Sequence, residues 1–223
     1  MNTTAVLPFP LPGLRVGDSA AREPRRSPAS AALASASDDA LVARVARGDR
    51  DAFALLYERY ARPVFGVLLR LGGQRALAEE WLQEAFTRVW LAAGTHDAAR
   101  GAVRPWIFAI ALNTARSELA RKRHRAPHVS LDAARLDLPD RGGGEPRLAE
   151  RLDAERRSAT LAAALLDLPD YLREVVVLRC SRELSFAEIA DVTGSPQGTL
   201  KSRFHRATQA LKAAVARRDR GTR

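Results

Sequence analysis

The stretch SFAEIADVTGSPQGTLKSRFHRATQALKAAV, residues 185–215, carries the most specific pattern in the chain. Ser185 followed three positions later by Glu188 is a capping box, which predicts the start of a short helix. Gly194 permits the left-handed turn that ends such a helix, and Pro196 suits the first position of a second one. The stretch therefore predicts two helices joined by a tight glycine turn.

The second of these helices separates apolar from basic side chains. Apolar residues recur every three or four positions on one side: Leu200, Phe204, Ala207, Leu211 and Val215. The other side offers Gly198, Ser202, His205 and Arg206, flanked by Lys201 and Arg203. This pattern favours a helix-turn-helix whose second helix enters the major groove, with Lys and Arg on phosphates. A helical hairpin with a merely solvated basic face is the alternative.

The composition indicates a polyanionic partner. Lys and Arg number 36 against 26 Asp and Glu, so the formal charge is +10 and the sequence pI is near 10.9. Such a balance suits nucleic acid or an anionic membrane surface. No uncharged apolar stretch approaches the roughly 20 residues of a membrane span, and Pro8, Pro10 and Pro12 interrupt the N-terminal apolar run. We expect a cytoplasmic protein without membrane insertion.

The sequence contains no residue pattern typical of a catalytic or metal site. One cysteine and four histidines cannot build a disulfide framework and match no zinc-finger spacing. The glycine run 142–144 lacks the Lys-Ser/Thr that completes a phosphate loop. We expect a protein that is not an enzyme and that needs no metal or cofactor.

Helical periodicity recurs along the chain and no β-hairpin signal is present. The expected fold is all-α, with two small helical domains joined by a flexible linker and the helix-turn-helix in the second. The expected segments are a leader over 1–37, an N-terminal domain over 38–125, a Pro- and Gly-rich linker over 126–146, a C-terminal domain over 147–216 and a basic tail over 217–223.

Within the N-terminal domain, a helix over about residues 75–93 has an apolar stripe and an acidic side that includes Glu79, Glu80, Gln83 and Glu84. A loop separates it from a further helix, which begins near Trp106 and ends in the basic run ARKRHR. Pro105 predicts extended geometry for the residue before it.

The chain resembles the extracytoplasmic-function group of bacterial sigma factors. The N-terminal motifs are FALLYERYARPVFGVLLRLGG, AEEWLQEAFTRVW and HDAARGAVRPWIFAIALNTARSELARKR, and the C-terminal one is LPDYLREVVVLRCSRELSFAEIADVTGSPQGTLKSRFHRATQALK. The resemblance covers about residues 38–216, with both domains in order. It implies a factor that binds core RNA polymerase, recognises the −10 and −35 promoter elements and promotes DNA opening.

The resemblance also implies a role for individual residues. The polymerase contact falls on Glu80, Gln83 and Glu84. The loop over 95–101 captures a flipped base, and contact with the −10 element involves His96, Asp97, Arg100, Trp106, Asn113, Arg116, Arg121, Lys122 and Arg123. Contact with the −35 element involves Gln197, Thr199, Lys201, Ser202, Arg203, His205 and Arg206. Anti-sigma proteins commonly hold members of this group inactive, so such a partner is expected.

Several alternatives stay open at this point. Trp106 fits either a stacking platform for a base or, as we favour, a core position. Asn113 fits DNA contact and local hydrogen bonding equally well. For the whole chain the second hypothesis is a helix-turn-helix repressor or activator that dimerises and acts without polymerase, and the third is a DNA-processing enzyme such as a recombinase.

Overall fold

The computed structural model describes residues 35–125, 148–180 and 184–221, with backbone alone at 122–125, 148–155 and 219–221. In these ranges the secondary structure consists of α-helices and one 3-10 turn, without a strand. The prediction of an all-α chain is confirmed. Most of the expected leader, the linker over 126–146 and the last residues of the tail lie outside the described residues.

The first four helices form the N-terminal helix group. They are α1 (Asp38–Val45), α2 (Arg50–Gly72), α3 (Arg75–Ala92) and α4 (Val103–Arg125), with a 3-10 turn at Ala93–Thr95 after α3. Ser37 caps α1 by accepting a hydrogen bond from the amide of Ala40, and Asp49 caps α2 by accepting from two amides. The cap at Asp49 thus separates α1 from α2.

An aromatic cluster fills the core of this group. Phe53 of α2 meets Phe86 and Trp90 of α3 edge-on, with ring centroids 6.2 and 5.3 Å apart. Trp81 is 1% exposed and packs against the end of α2, where a Cβ built on Gly72 would lie 2.6 Å from its ring. The bulky indole therefore fits because the facing position has no side chain.

The helix α4 starts earlier than the sequence predicts. The amide of Trp106 donates to the carbonyl of Ala102 at 3.4 Å, and α4 begins at Val103. The expectation that Arg104 is extended is wrong. Pro105 lies in the first turn, where a missing N–H breaks no helical hydrogen bond, and this outweighs the preference of the preceding residue.

The C-terminal helix group contains α5 (Leu148–Leu166), α6 (Asp170–Cys180), α7 (Phe186–Thr193) and α8 (Gln197–Gly221). The capping box of Ser185 and Glu188 is complete, and Gly194 ends α7 with a left-handed φ of 67°. Phe186 and Phe204 meet edge-on across the turn at 5.7 Å. The helix-turn-helix geometry therefore follows the local signals closely.

The two helix groups pack against each other. The main contacts join α4 to α7, and the C-terminal part of α2 to α5 and α6. At the second contact the guanidinium of Arg173 donates to the carbonyl of Leu71 at 3.2 Å, and Leu166 lies against Gly73. Residues of α4 thereby face the C-terminal helices.

Candidate nucleic-acid interface

The free side of α8 is a continuous polar and basic surface. Leu200, Ala207 and Leu211 turn inward and are at most 8% exposed. The exposed side chains at the start of the helix are Gln197, Thr199, Lys201, Ser202, His205 and Arg206. The helix thus presents amide, hydroxyl and cationic groups to one side, as a recognition helix requires.

Arg203 belongs to the same stretch, but its side chain contacts Ser195 and Tyr171. Its Nη1 lies 3.3 Å from Oγ of Ser195, and its guanidinium lies 5.6 Å above the ring of Tyr171 in α6. The side chain is half-buried, so it presents less of its charge than its neighbours on α8. It links the recognition helix to α6.

A second surface runs along α3. Glu80 and Gln83 are exposed, and Glu84 is half-exposed and accepts a hydrogen bond from Arg88 at 2.8 Å. Continuing in helical steps, the same stripe reaches Leu91, whose side chain is 61% exposed. An acidic stripe that ends in an exposed leucine is suited to a partner with a basic and an apolar element. The period of three and four from Glu80 to Leu91 is the signal that could have identified this leucine from the sequence.

The loop after the 3-10 turn and the outer side of α4 form a third surface. Oδ1 of Asp97 accepts from the amide of Ala99 at 3.0 Å, which shapes the loop, and Arg100 is 88% exposed. On α4, Asn113 is exposed, while Arg121 donates to Glu118 one turn earlier. The loop and the helix therefore both expose charged or amide groups.

Two side chains expected on this surface point elsewhere. The side chain of His96 is 7% exposed, and its ring centroid lies 4.8 Å from that of Trp106, which is itself packed on the core. Arg116 makes a two-pronged contact with Glu174 of α6, at 2.8 Å from Nε and 2.6 Å from Nη2. Hydrogen bonding to this carboxylate raises the pKa of Arg116 against the lowering effect of burial.

Comparison with known proteins identifies the two helix groups. Family models match residues 56–125, described as Sigma-70 region 2, and residues 158–211, described as Sigma-70, region 4. The RNA polymerase sigma-H factor of Pseudomonas aeruginosa is 32% identical in a match that covers 80% of this chain and 93% of that protein. The ECF RNA polymerase sigma-E factor of Escherichia coli K12 is 33% identical, over 80% and 94%. The chain belongs to the extracytoplasmic-function sigma factors.

The fold of this sigma factor is also found in a solved relative. The structure of CnrH in complex with the cytosolic domain of CnrY matches with a TM-score of 0.59 at 27% identity, over 80% of this chain and 97% of that one. The resemblance that the motifs indicate is confirmed. The protein is an alternative sigma factor that acts with RNA polymerase, and the repressor alternative is not favoured.

The matched regions coincide with the surfaces described above. Region 2 contains the α3 stripe, the loop and α4, while region 4 contains α7 and most of the exposed side of α8. The side chains of Lys122 and Arg123 lie outside the described part of the structure. In the described residues no cluster of His, Cys, Asp and Glu could hold a metal ion, and no helix there is long and apolar enough to cross a bilayer.

Proposed function

We propose that this sigma factor docks on core RNA polymerase through α3, reads the −10 element through the loop over 95–101 and α4, and reads the −35 element through α8. In this proposal it promotes DNA opening by binding, without covalent chemistry of its own, and it acts in the cytoplasm. The domain boundaries are those expected above, 38–125 and 147–216.

The observation that carries the proposal is the exposed side of α8. Six of the seven residues assigned to the −35 element are exposed there, while Leu200 between them is buried and Phe204 is half-buried. Gln197 near the N-terminus of the helix suits an adenine edge, because its amide can donate and accept at once. Lys201 and Arg206 suit phosphates.

For the −10 element, the loop and α4 supply different kinds of contact. Asp97 and Arg100 are exposed in the loop, and Asn113 is exposed on α4. An unstacked base costs a few kcal/mol to extrude, so the loop must supply hydrogen bonds and stacking to the flipped base. Arg116 reaches DNA only after it leaves Glu174.

For polymerase, the α3 stripe supplies negative charge on a rigid helix. A charge reversal at Glu80 reverses the sign of an exposed side chain at the acidic start of this stripe. Glu58 on α2 is also exposed and lies outside the stripe, so it is the matched control. We expect Glu80→Lys to weaken binding to core polymerase and Glu58→Lys to leave it unchanged.

A protein partner of the anti-sigma class is part of the proposal. CnrH, the solved relative, is bound to the cytosolic domain of another protein, CnrY. We propose that this sigma factor is likewise held by a partner that covers the surfaces it uses for polymerase and DNA.

The test is run-off transcription with purified core polymerase on a library of promoter sequences. Starts that depend on this chain, and that share two conserved elements, support the proposal. Arg206→Ala should then lower transcription from all promoters alike and reduce the salt dependence of DNA binding by the equivalent of about one phosphate contact. Gln197→Ala should lower the free-energy difference between the preferred and other bases at one −35 position by about 1–3 kcal/mol. Arg217→Ala, at an exposed cation further along α8, is the control. Binding to a palindromic duplex without polymerase would overturn the proposal.

A further inference from the structure

His96 is the residue of the −10 loop that the structure buries. Its side chain is 7% exposed, and its ring is tilted by 40° against the ring of Trp106. Its Nε2 is fully enclosed and has no hydrogen-bond partner among the described residues. The carboxylate oxygen Oδ1 of Asp39, in the first turn of α1, lies 3.5 Å from that nitrogen. A ring nitrogen in this position gains a charge-assisted partner when the imidazole is protonated.

The α1 side of this contact offers one available carboxylate. Asp38, the neighbour of Asp39, is already engaged, since it accepts from Arg59 at 2.7 Å and from the hydroxyl of Tyr60. The side chain of Asp39 is 56% exposed, and its carboxylate lies within ion-pair distance of His96. Protonated His96 would therefore pair with the carboxylate of Asp39.

The charged groups on the other elements around the imidazole have partners of their own. From α4 the neighbour is the uncharged indole of Trp106, and the positive charge of Arg104, two positions earlier, acts on Tyr60. Within the loop itself, Asp97 and Arg100 pair with each other at 3.6 Å. The α3 side is the 3-10 turn, which contains only alanine, glycine and threonine.

We propose that His96 is a positioning residue for the −10 loop. Its ring joins the loop to α4 through Trp106 and to α1 through Asp39, so it sets the base-capturing segment against the rigid helices without touching DNA. Protonation tightens the link to Asp39, and selection of the flipped base becomes stricter as the pH falls. Because His96 acts through this loop, the proposal rests on the proposed function of the loop in −10 recognition.

The experiment uses full-length protein in complex with core polymerase. The probe is a fork-junction DNA that carries either the preferred −10 base, found by the transcription screen, or a substituted base. The ratio of the two affinities is measured from about pH 8 to about pH 6. The variants are His96→Phe, which keeps an aromatic ring against Trp106 but removes the nitrogen, and Asp39→Asn, which removes the charge and leaves the loop sequence intact. A duplex with only the −35 element is the control.

We expect the ratio for the natural chain to rise roughly two- to fivefold as the pH falls, as for one half-exposed ion pair. It should be nearly independent of pH in both variants, while affinity for the −35 duplex is the same in all three proteins. A ratio that changes with pH equally in all three proteins, or a flat ratio in the natural chain, would overturn the positioning role. If the natural chain does not discriminate between the two bases at any pH, both this role and the proposed −10 function are overturned. If it discriminates but the ratio does not depend on pH, only the positioning role fails.

Discussion

Arg173 of α6 donates hydrogen bonds to four backbone carbonyl oxygens, and its removal is a direct test of the packing. Its guanidinium donates to the carbonyl oxygens of Leu165, Leu166 and Leu168 at 2.9, 2.6 and 2.8 Å, and to that of Leu71 at 3.2 Å. The residue is 9% exposed. One cation thus stabilises the C-terminal end of α5 and connects it to the end of α2.

Arg173→Met keeps the volume and removes every donor. A hydrogen bond to a charged group contributes about 1.5–3 kcal/mol to stability. Because the methionine also avoids the cost of burying a guanidinium, the total loss is well below the sum over the four bonds. We expect the free energy of unfolding to fall by about 3 kcal/mol. Arg173→Lys keeps the charge with a single donor group and should lose somewhat less.

The assay is urea denaturation followed by far-ultraviolet circular dichroism, with hydrogen exchange to locate the change. Exchange should accelerate most at the end of α5 and the start of α6, where the guanidinium is bound. Arg217→Met, at an exposed position of α8, is the matched control and should alter stability by less than about 0.5 kcal/mol. A loss of less than about 1 kcal/mol in Arg173→Met would refute the capping role of this arginine.

Three further changes test other contacts. Glu174→Gln removes the negative charge that faces Arg116, so we expect the packing of the two helix groups to weaken by about 1–2 kcal/mol. The radius of gyration in small-angle scattering should then increase, and an unchanged radius would contradict this. Gly73→Ala should destabilise the chain more than Gly194→Ala. Both glycines have a left-handed φ, of 71° and 67°, but only a Cβ added at Gly73 meets a side chain, that of Leu166 in α5 at 2.6 Å. Equal melting temperatures of the two variants would refute the difference. Ser185→Ala removes the cap of α7 and should lower the free energy of unfolding by about 1 kcal/mol in thermal melts, with Ser185→Asp restoring most of it; a null effect would argue against the capping box.

Much of the fold was readable from the sequence because its signals act over one turn of helix. The capping box, the glycine that ends α7 and the apolar period of α8 are local, and the structure reproduces each of them. The family followed from the order of such local motifs along the chain.

Local sequence preferences predicted helix boundaries less well where two preferences compete. Pro105 disfavours helix at the residue before it, yet it also suits a first helical turn, and the second effect prevailed in α4. The separation of α1 from α2 depends on Asp49, which is an evident cap only once the chain is known to turn there.

The amino-acid sequence by itself determined the helices, the helix-turn-helix and the exposed face of α8, since each depends on neighbours within a few positions. Only the tertiary structure decided the environment of His96 and Arg116. Both have the chemistry of a DNA contact, but His96 is buried between α4 and α1, and Arg116 meets a carboxylate 58 positions away in the other helix group. Side-chain burial and ion pairing across such separations depend on how the helices pack, and no periodicity along the chain encodes them.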